Sequence, residues 1–252
     1  MVVIIRYAEI GIKGQNRSFF ERKLVKNIKT CLEYNKIKFE SIERMNGRMF
    51  IYTSDPCNQL SKVFGISSFS EATEMDYNFD AVCEKALGLY TKGTFRVTAN
   101  CLTQCDLTSQ KMNEEVGGYI VDKTKAKVSL KNPDINIGIE VLNKKAYLFT
   151  EKKRGPGGLP IGTQGLVAVL LEDKDSIKAA MLMMKRGCVV VLINSGKDID
   201  YKSLFDYDPK IKLKDSIPNN TSAIAVSDKL PNFKKRDFDK PVLRPLVGEW
   251  LE

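Results

Sequence analysis

The stretch VAVLLEDKDSIKAAMLMMKRG, residues 167–187, constrains the fold more than any other. Its first five residues, Val167 to Leu171, are all apolar, as in strands buried on both faces of a helix-covered parallel sheet. A short loop, Glu172-Asp173-Lys174, leads into a helix over about Asp175–Arg186. Corners of this kind are where α/β proteins hold phosphate, because the first N–H groups of the helix and its dipole both face an incoming anion. Here the loop has no glycine and two carboxylates. At ~5 Å and an effective dielectric of ~20, each carboxylate would oppose a phosphate charge by roughly 3 kcal/mol. A second buried strand follows at 189–194, then a segment thinner in apolar residues, a late strand at 221–226 and the terminal VLRPLVGEWLE. Residues 166–252 therefore read as a reduced Rossmann-like α/β domain.

Upstream, the pattern is α+β. A strand at 2–8 precedes Ser18-Phe19-Phe20-Glu21, which fits a capping box opening a helix. Phe20, Leu24, Ile28, Cys31 and Leu32 recur on one face of that helix. Strands at 39–43 and 49–53 flank the Asn46-Gly47 turn signal. A helix near 58–64 and a strand near 66–70 complete βαββαβ, a ferredoxin-like arrangement over residues 1–73. Residues 74–154 form a second unit, with helices at 80–90 and 109–123 and strands at 94–98, 127–130, 135–141 and 146–150. Helices followed by consecutive strands indicate α+β again. Five glycines and two prolines in GPGGLPIGTQG, residues 155–165, exclude a regular element. That segment reads as a linker between domains, either a plain hinge or one whose leading Lys152-Lys153-Arg154 touch a phosphate backbone.

The chain has 252 residues and no histidine, so Cys/His zinc sites are excluded and any acid–base chemistry falls to Asp, Glu, Lys, Tyr or Cys. Its six cysteines lack CxxC spacing; Cys101-x3-Cys105 is the one close pair, and reduced, mostly buried thiols are expected. No apolar run approaches the length of a membrane span, and the N-terminus lacks a basic n-region, so a cytoplasmic protein is expected. The net charge of +9 is uneven: residues 1–54 hold 11 Lys/Arg against 5 Asp/Glu, residues 155–252 hold 15 against 13. Clustered cations suit an anionic polymer; a solvated lysine-rich surface is the other reading.

Several ordered segments together resemble one family, the tRNA 4-thiouridine synthetases. RYAEIGIKGQNRSFFERKLVKNI resembles that family's opening, and KVFGISSFSEA the end of its ferredoxin-like domain. TFRV, LTSQKMNEEVGGYI, VSLKNPDINIGIEV and AYLFTEKKRGPGGLPIGT resemble its THUMP domain and the segment after it. MLMMKRG and PVLRPLVG resemble pieces of its ATP-pyrophosphatase domain. The resemblance implies that the first two domains bind the acceptor end of tRNA. It offers Lys13, Asn16, Arg17, Arg48, Lys131 and Asn132 as RNA contacts, residue types that pair phosphates or reach sugars and base edges; Arg22 and Lys23 on the first helix and Lys152, Lys153 and Arg154 join them as cations. Where the family has an arginine-rich stretch after TFRV-x-A, this chain reads Asn100-Cys101-Leu102-Thr103-Gln104-Cys105.

The family's third domain adenylates uracil with ATP at an SGGxDS loop and handles sulfur on a later cysteine. Those loop positions here are Leu171, Glu172, Asp173, Lys174, Asp175 and Ser176; only Asp175 and Ser176 persist, as weak catalytic candidates. Both phosphate-admitting glycines are replaced. Residues 195–240 are short for a full pyrophosphatase domain, and Cys188, at the start of a buried strand, is not the sulfur-handling cysteine. The expectation is a tRNA-binding THUMP protein with a degenerate, truncated third domain and no ATP, Mg or other metal of its own. It would act in tRNA modification or present tRNA to a separate catalytic or sulfur-carrier protein, as a homodimer by family analogy. Two readings stay open beside it: an active thiolation enzyme with a nonstandard or partner-completed ATP site, and a regulatory or assembly module without RNA.

Overall fold

The computed structural model describes residues 1–7, 9–230 and 233–248. The chain forms two compact units, interleaved in sequence. One comprises Met1–Arg6, Phe39–Pro56 and Ser68–Lys153, the other Tyr7–Lys38, Cys57–Ser67 and Arg154–Glu252. Among the described residues no helix is long and apolar enough to cross a membrane.

The first unit is built on strands β1 (Val2–Arg6), β2 (Ser41–Met45), β3 (Arg48–Tyr52), β4 (Ser68–Asp76), β5 (Phe95–Cys101), β6 (Ile135–Leu142) and β7 (Lys145–Phe149), in the order β2-β3-β1-β4-β7-β6-β5. All five residues of β1 are buried, as its VVIIR sequence requires of a central strand. The β2–β3 hairpin turns on Asn46 and Gly47, both at positive φ, the combination a two-residue primed turn needs. The nine-residue β4 pairs through its first half with β1 and through Thr73–Asp76 with β7. Residues 73 and 74, the expected domain boundary, are thus neighbours within one strand. Helices α2 (Phe79–Leu89) and α3 (Ser109–Thr124) share a core with β5, β6 and β7. Asn78 Oδ1 caps α2 through Ala81 N–H at 3.0 Å, and Thr108 Oγ1 caps α3 through Lys111 N–H at 3.1 Å. The strand expected at 127–130 reduces to a single bridge between Val128 and Phe95, because Val128 and Leu130 are exposed and have no apolar face to bury.

In the second unit the expected capping box does not form. Helix α1 (Arg17–Tyr34) starts two residues earlier than that box requires, Ser18 Oγ accepts from Arg22 at 2.6 Å, and Glu21 is taken by Arg17 and Tyr7. Asn16 sits at the N-cap without a side-chain bond. Residues 58–62 make a 3-10 turn in place of the expected helix. After the two-residue β8 (Lys153–Arg154) come β9 (Leu166–Leu171), α4 (Asp175–Lys185), β10 (Val189–Asn194), β11 (Lys212–Lys214), β12 (Ala223–Ala225) and β13 (Val242–Leu243). The last five strands are parallel, in the order β11-β10-β9-β12-β13, with β9 central as its apolar run predicts. The Ala179, Ala180, Met183 and Met184 face of α4 shares one core with Val167, Val169, Val190 and Leu192, while Ala168, Val191, Ile193 and Ile224 form another with Ile217 and Phe238.

The Gly/Pro segment 155–165 is fastened along its length instead of hanging as a hinge. Gly155 N–H donates to Ser67 O, Gly157 N–H to Ile66 O, Leu159 N–H to Lys185 O and Gly162 N–H to Gly187 O, at 2.8–3.0 Å. Gly158 is required where it stands: its φ is +74°, and a Cβ there would collide with the Lys185 carbonyl.

Candidate nucleotide loop and nucleic-acid interface

Chain order reverses at β9: β10 and β11 extend the sheet to one side, β12 and β13 to the other. The crevice beyond the carboxyl ends of β9 and β12 is therefore the expected ligand position of an open parallel sheet. Its donors are occupied from within. Ser176 Oγ, on a side chain with no solvent exposure, accepts Glu172 N–H at 3.1 Å and Asp173 N–H at 3.3 Å, and donates to Asp173 Oδ1 at 3.2 Å. Asp173 Oδ1 also accepts Ser176 N–H at 3.0 Å, and Asp173 Oδ2 accepts the Ser227 hydroxyl at 2.8 Å. One hydroxyl thus fills its donor and both acceptor directions on the loop's own backbone and cap. Ser195 donates to Leu171 O, and Lys197 Nζ donates to Glu172 O at 2.6 Å. Three N–H groups of the loop, those of Glu172, Asp173 and Ser176, are thus spent on side chains.

Of the two carboxylates expected to repel phosphate, Glu172 is neutralised by a cation, whereas Asp173 is held by the Ser176 and Ser227 hydroxyls. Arg236 grips Glu172 through two parallel bonds of 2.5 and 2.6 Å and reaches Asp228 Oδ1 at 2.8 Å. Arg244 Nε approaches Asp228 Oδ2 at 3.3 Å, and Lys229 pairs Asp175 at 2.8 Å. The cluster is largely dry, with the Arg236 side chain 9% exposed and that of Asp228 4%. The Arg236 hydrogen bond holds the Glu172 carboxyl below its usual range. Burial pushes Asp228 up, but the Arg236 hydrogen bond and charge, with further help from Lys234 and Arg244, bring it down on balance. Repulsion by bare carboxylates is thus replaced by a balanced ion cluster, in which the Glu172 carboxylate takes the two-pronged contact that arginine otherwise gives to phosphate. Of the two catalytic candidates, Ser176 is sealed inside the loop and Asp175 is held by Lys229.

The candidate RNA contacts fall into separate groups. At the start of α1, Lys13 Nζ lies 5.2 Å from the Phe20 ring centroid and Lys23 Nζ 6.0 Å from that of the exposed Phe19. Arg17 bonds Glu21 at 2.8 Å and the Tyr7 hydroxyl at 3.0 Å; Arg22 and Asn16 are exposed. Burial, and then the bond to Glu21, push the Tyr7 phenol up to about 12, so it remains a donor at neutral pH.

In the other unit, Arg48 lies opposite Arg6 on neighbouring strands, a repulsive placement resolved by Glu140 between them. Glu140, 2% exposed, receives Arg6 Nε at 2.6 Å and Arg48 Nε at 2.8 Å. Arg6 also donates to Ser70 Oγ at 3.0 Å and lies over the Phe149 ring at 4.8 Å. Partial burial, followed by the Arg6 charge, holds the Lys152 ammonium below its usual pKa; Arg48 adds to this and Glu140 opposes it. Two arginines thus share one buried carboxylate, and Lys152 lies within reach of their charge. Lys153 pairs Glu71 at 3.2 Å, exposed Lys131 and Asn132 belong to a different loop, and Arg154 is exposed.

The profile of the ThiI ferredoxin-like domain matches residues 2–70, and that of the THUMP domain residues 77–151. A protein of Thermococcus kodakarensis named "Probable tRNA sulfurtransferase" is 40% identical over 208 residues, covering 77% of this chain and 55% of its own length. One of the same name from Methanobrevibacter smithii is 41% identical over 209 residues, covering 77% and 53%. The chain belongs to the tRNA sulfurtransferase family. It spans about half the length of these curated relatives. Among solved structures, PH1313 of Pyrococcus horikoshii is 32% identical with a TM-score of 0.87, covering 98% of this chain and 94% of that one. A 4-thiouridine synthetase solved with RNA and bound ATP shares the fold at 24% identity, with a TM-score of 0.76 and coverage of 98% and 81%.

Within this sulfurtransferase fold, sequence reading missed Ser227, Asp228, Arg236 and Arg244. The first two had a usable signal, since they directly follow the buried run AIAV and so sit at a parallel strand's carboxyl end. Arg236 had none; it lies in a charged stretch, KKRDFDK, without periodicity. Arg6 and Glu140 looked like ordinary strand residues. Among the described residues, no three cysteines or carboxylates are grouped to hold a metal ion.

Proposed function

We propose that this tRNA sulfurtransferase-family chain binds tRNA and does not itself turn over ATP. It would act in tRNA modification, presenting the tRNA acceptor end to a separate catalytic or sulfur-carrier protein. The observation that carries the second half is the filled loop: Ser176 and Asp173 occupy the backbone donors, and Glu172 occupies Arg236. A triphosphate would have to displace all of these contacts together. The residues present therefore do not fit the family's ATP, and no step is assigned to it. RNA binding is supported by the THUMP match at residues 77–151 and by the basic surplus of residues 1–54.

The test has two arms. Fluorescence anisotropy with a labelled tRNA should give salt-dependent binding. About four phosphate contacts would cost about 50-fold in affinity between roughly 50 and 200 mM salt. Isothermal titration with MgATP should give no heat of binding. Absence of tRNA binding at low salt would sink the RNA reading. Saturable ATP binding, or thiolation of tRNA by the purified chain, would restore the reading of an active enzyme.

A further inference from the structure

Helices α2 and α3 share a core with Phe95, Val97 and Ala99, the buried side of β5. Arg96 and Thr98 alternate with these residues and so stand on the opposite side of the sheet, partly exposed. Strand β6 runs parallel to β5, with Asn136 in register with Arg96. The Asn136 side-chain oxygen accepts Arg96 Nε at 3.0 Å and the Thr98 hydroxyl at 2.7 Å. Arg96 Nη1 donates in turn to Leu130 O at 2.8 Å, which pins the end of the segment bridged to Phe95 through Val128. Leu130, 71% exposed, and the exposed Lys131 and Asn132 are thereby set beside this network.

We infer that the network is a reading site for one unpaired RNA base, with Asn136 as the residue that reads it. The inference rests on the tRNA-binding proposal and deepens it. The orientation of the amide is forced, because a guanidinium only donates and the atom facing Arg96 Nε must be the oxygen. Two donors fill both lone pairs of that oxygen. The Nδ2 arm keeps its two N–H donors, which no described residue accepts. Asn136 can therefore only donate, to a ring nitrogen or carbonyl, and it opposes a base edge that presents an N–H. An amide already locked by two bonds also loses little freedom on making that contact. Arg96 keeps its charge for the RNA: Asp134, one step back in the register, is spent on the Thr94 N–H at 2.7 Å and hydroxyl at 2.8 Å. Its planar guanidinium and the bare Leu130 side chain offer a base a surface to lie on, and Lys131 a charge for the adjoining phosphate. A short asparagine on a strand does not reach into the deep major groove of an RNA duplex, whereas an unstacked base can come to it.

The test compares the parent chain with Asn136→Asp by fluorescence anisotropy, on a set of tRNAs that each carry one abasic residue at an unpaired position. The new carboxylate still accepts from Arg96 and Thr98, so the variant should melt no lower than the parent, while its outer arm changes from donor to acceptor. At one unpaired position, loss of the base should weaken binding to the parent about three- to tenfold. The same loss should have no further effect on the variant, because the contact it removes is already gone, and the two changes should be non-additive. As a measurement independent of any substitution, the Asn136 side-chain amide resonances of the parent chain should shift on adding intact tRNA and stay in place with the abasic tRNA that bound more weakly. Abasic losses of equal size in both proteins at every position, or an amide unmoved by intact tRNA that binds, would overturn the base-reading role and leave RNA binding standing. Absence of binding of intact tRNA to the parent at low salt would overturn both this inference and the proposal beneath it.

Discussion

Replacing Arg236 by alanine tests whether the ion cluster beside the nucleotide loop holds the second unit together. The change removes three charge-assisted bonds of 2.5, 2.6 and 2.8 Å and leaves Glu172 and Asp228 facing each other's charge. Removing one member of a buried ion pair costs about 3–5 kcal/mol. Two features reduce that here. Glu172 is 18% exposed and can recover some hydration, and Asp228 keeps Arg244 at 3.3 Å. The expected loss is therefore about 2–4 kcal/mol, or a fall in melting temperature of roughly 5–15 °C for a chain of this size. Both carboxylates titrate lower in the folded chain than when unfolded. Their contribution is complete above the unfolded values, near ~4, and disappears as pH falls through the folded ones. The penalty of the substitution should thus be full at pH 7 and shrink below about pH 4 as Glu172 and Asp228 become protonated in both states. Thermal melts of parent and variant followed by circular dichroism from neutral to acid pH measure this directly. A loss below about 0.5 kcal/mol at pH 7, or a penalty independent of pH, would refute the assignment of the cluster as a structural lock.

Ser176→Ala should leave the Glu172 and Asp173 amides without their acceptor, costing about 1–3 kcal/mol and accelerating their hydrogen exchange selectively. Gly158→Ala should destabilise by about 2 kcal/mol or more, read in urea unfolding, because positive φ and the clash with the Lys185 carbonyl act together. For the RNA surface, Lys13→Ala combined with Lys23→Ala should weaken tRNA binding and flatten the log–log salt dependence by about 1.5, measured by anisotropy. An unchanged slope would remove the start of α1 from the interface.

The second unit's sheet was legible because Val167–Leu171 is apolar throughout, which only a strand covered on both faces tolerates. The hairpin at Asn46-Gly47 was legible because few residues accept two successive positive φ angles. The state of the loop was only half legible. The missing glycines spoke against phosphate, but sequence could not place Arg236 beside Glu172, since 64 residues separate them and neither lies in a periodic element. The same limit hid the partner of Arg48. An exposed-looking arginine after a turn suggests a phosphate contact; its pairing with Glu140, 92 residues away, depends on strand order alone. The GPGGLPIGTQG segment misled through composition: its glycines permit close backbone approach to Ile66 and Lys185, which sequence cannot distinguish from freedom to move.

The course of β4 has a mechanical consequence. The stretch between the two matched domains, residues 71–76, lies inside this strand, hydrogen-bonded to β1 in one half and β7 in the other. Bending there would break ladder bonds on both sides at once, so the ferredoxin-like strands and the THUMP strands move as one stiff plate. Backbone positions on its outermost strands, β2 and β5, therefore keep a fixed separation. Any ligand laid across both parts would meet groups whose spacing is set by the strand ladder and not by a hinge.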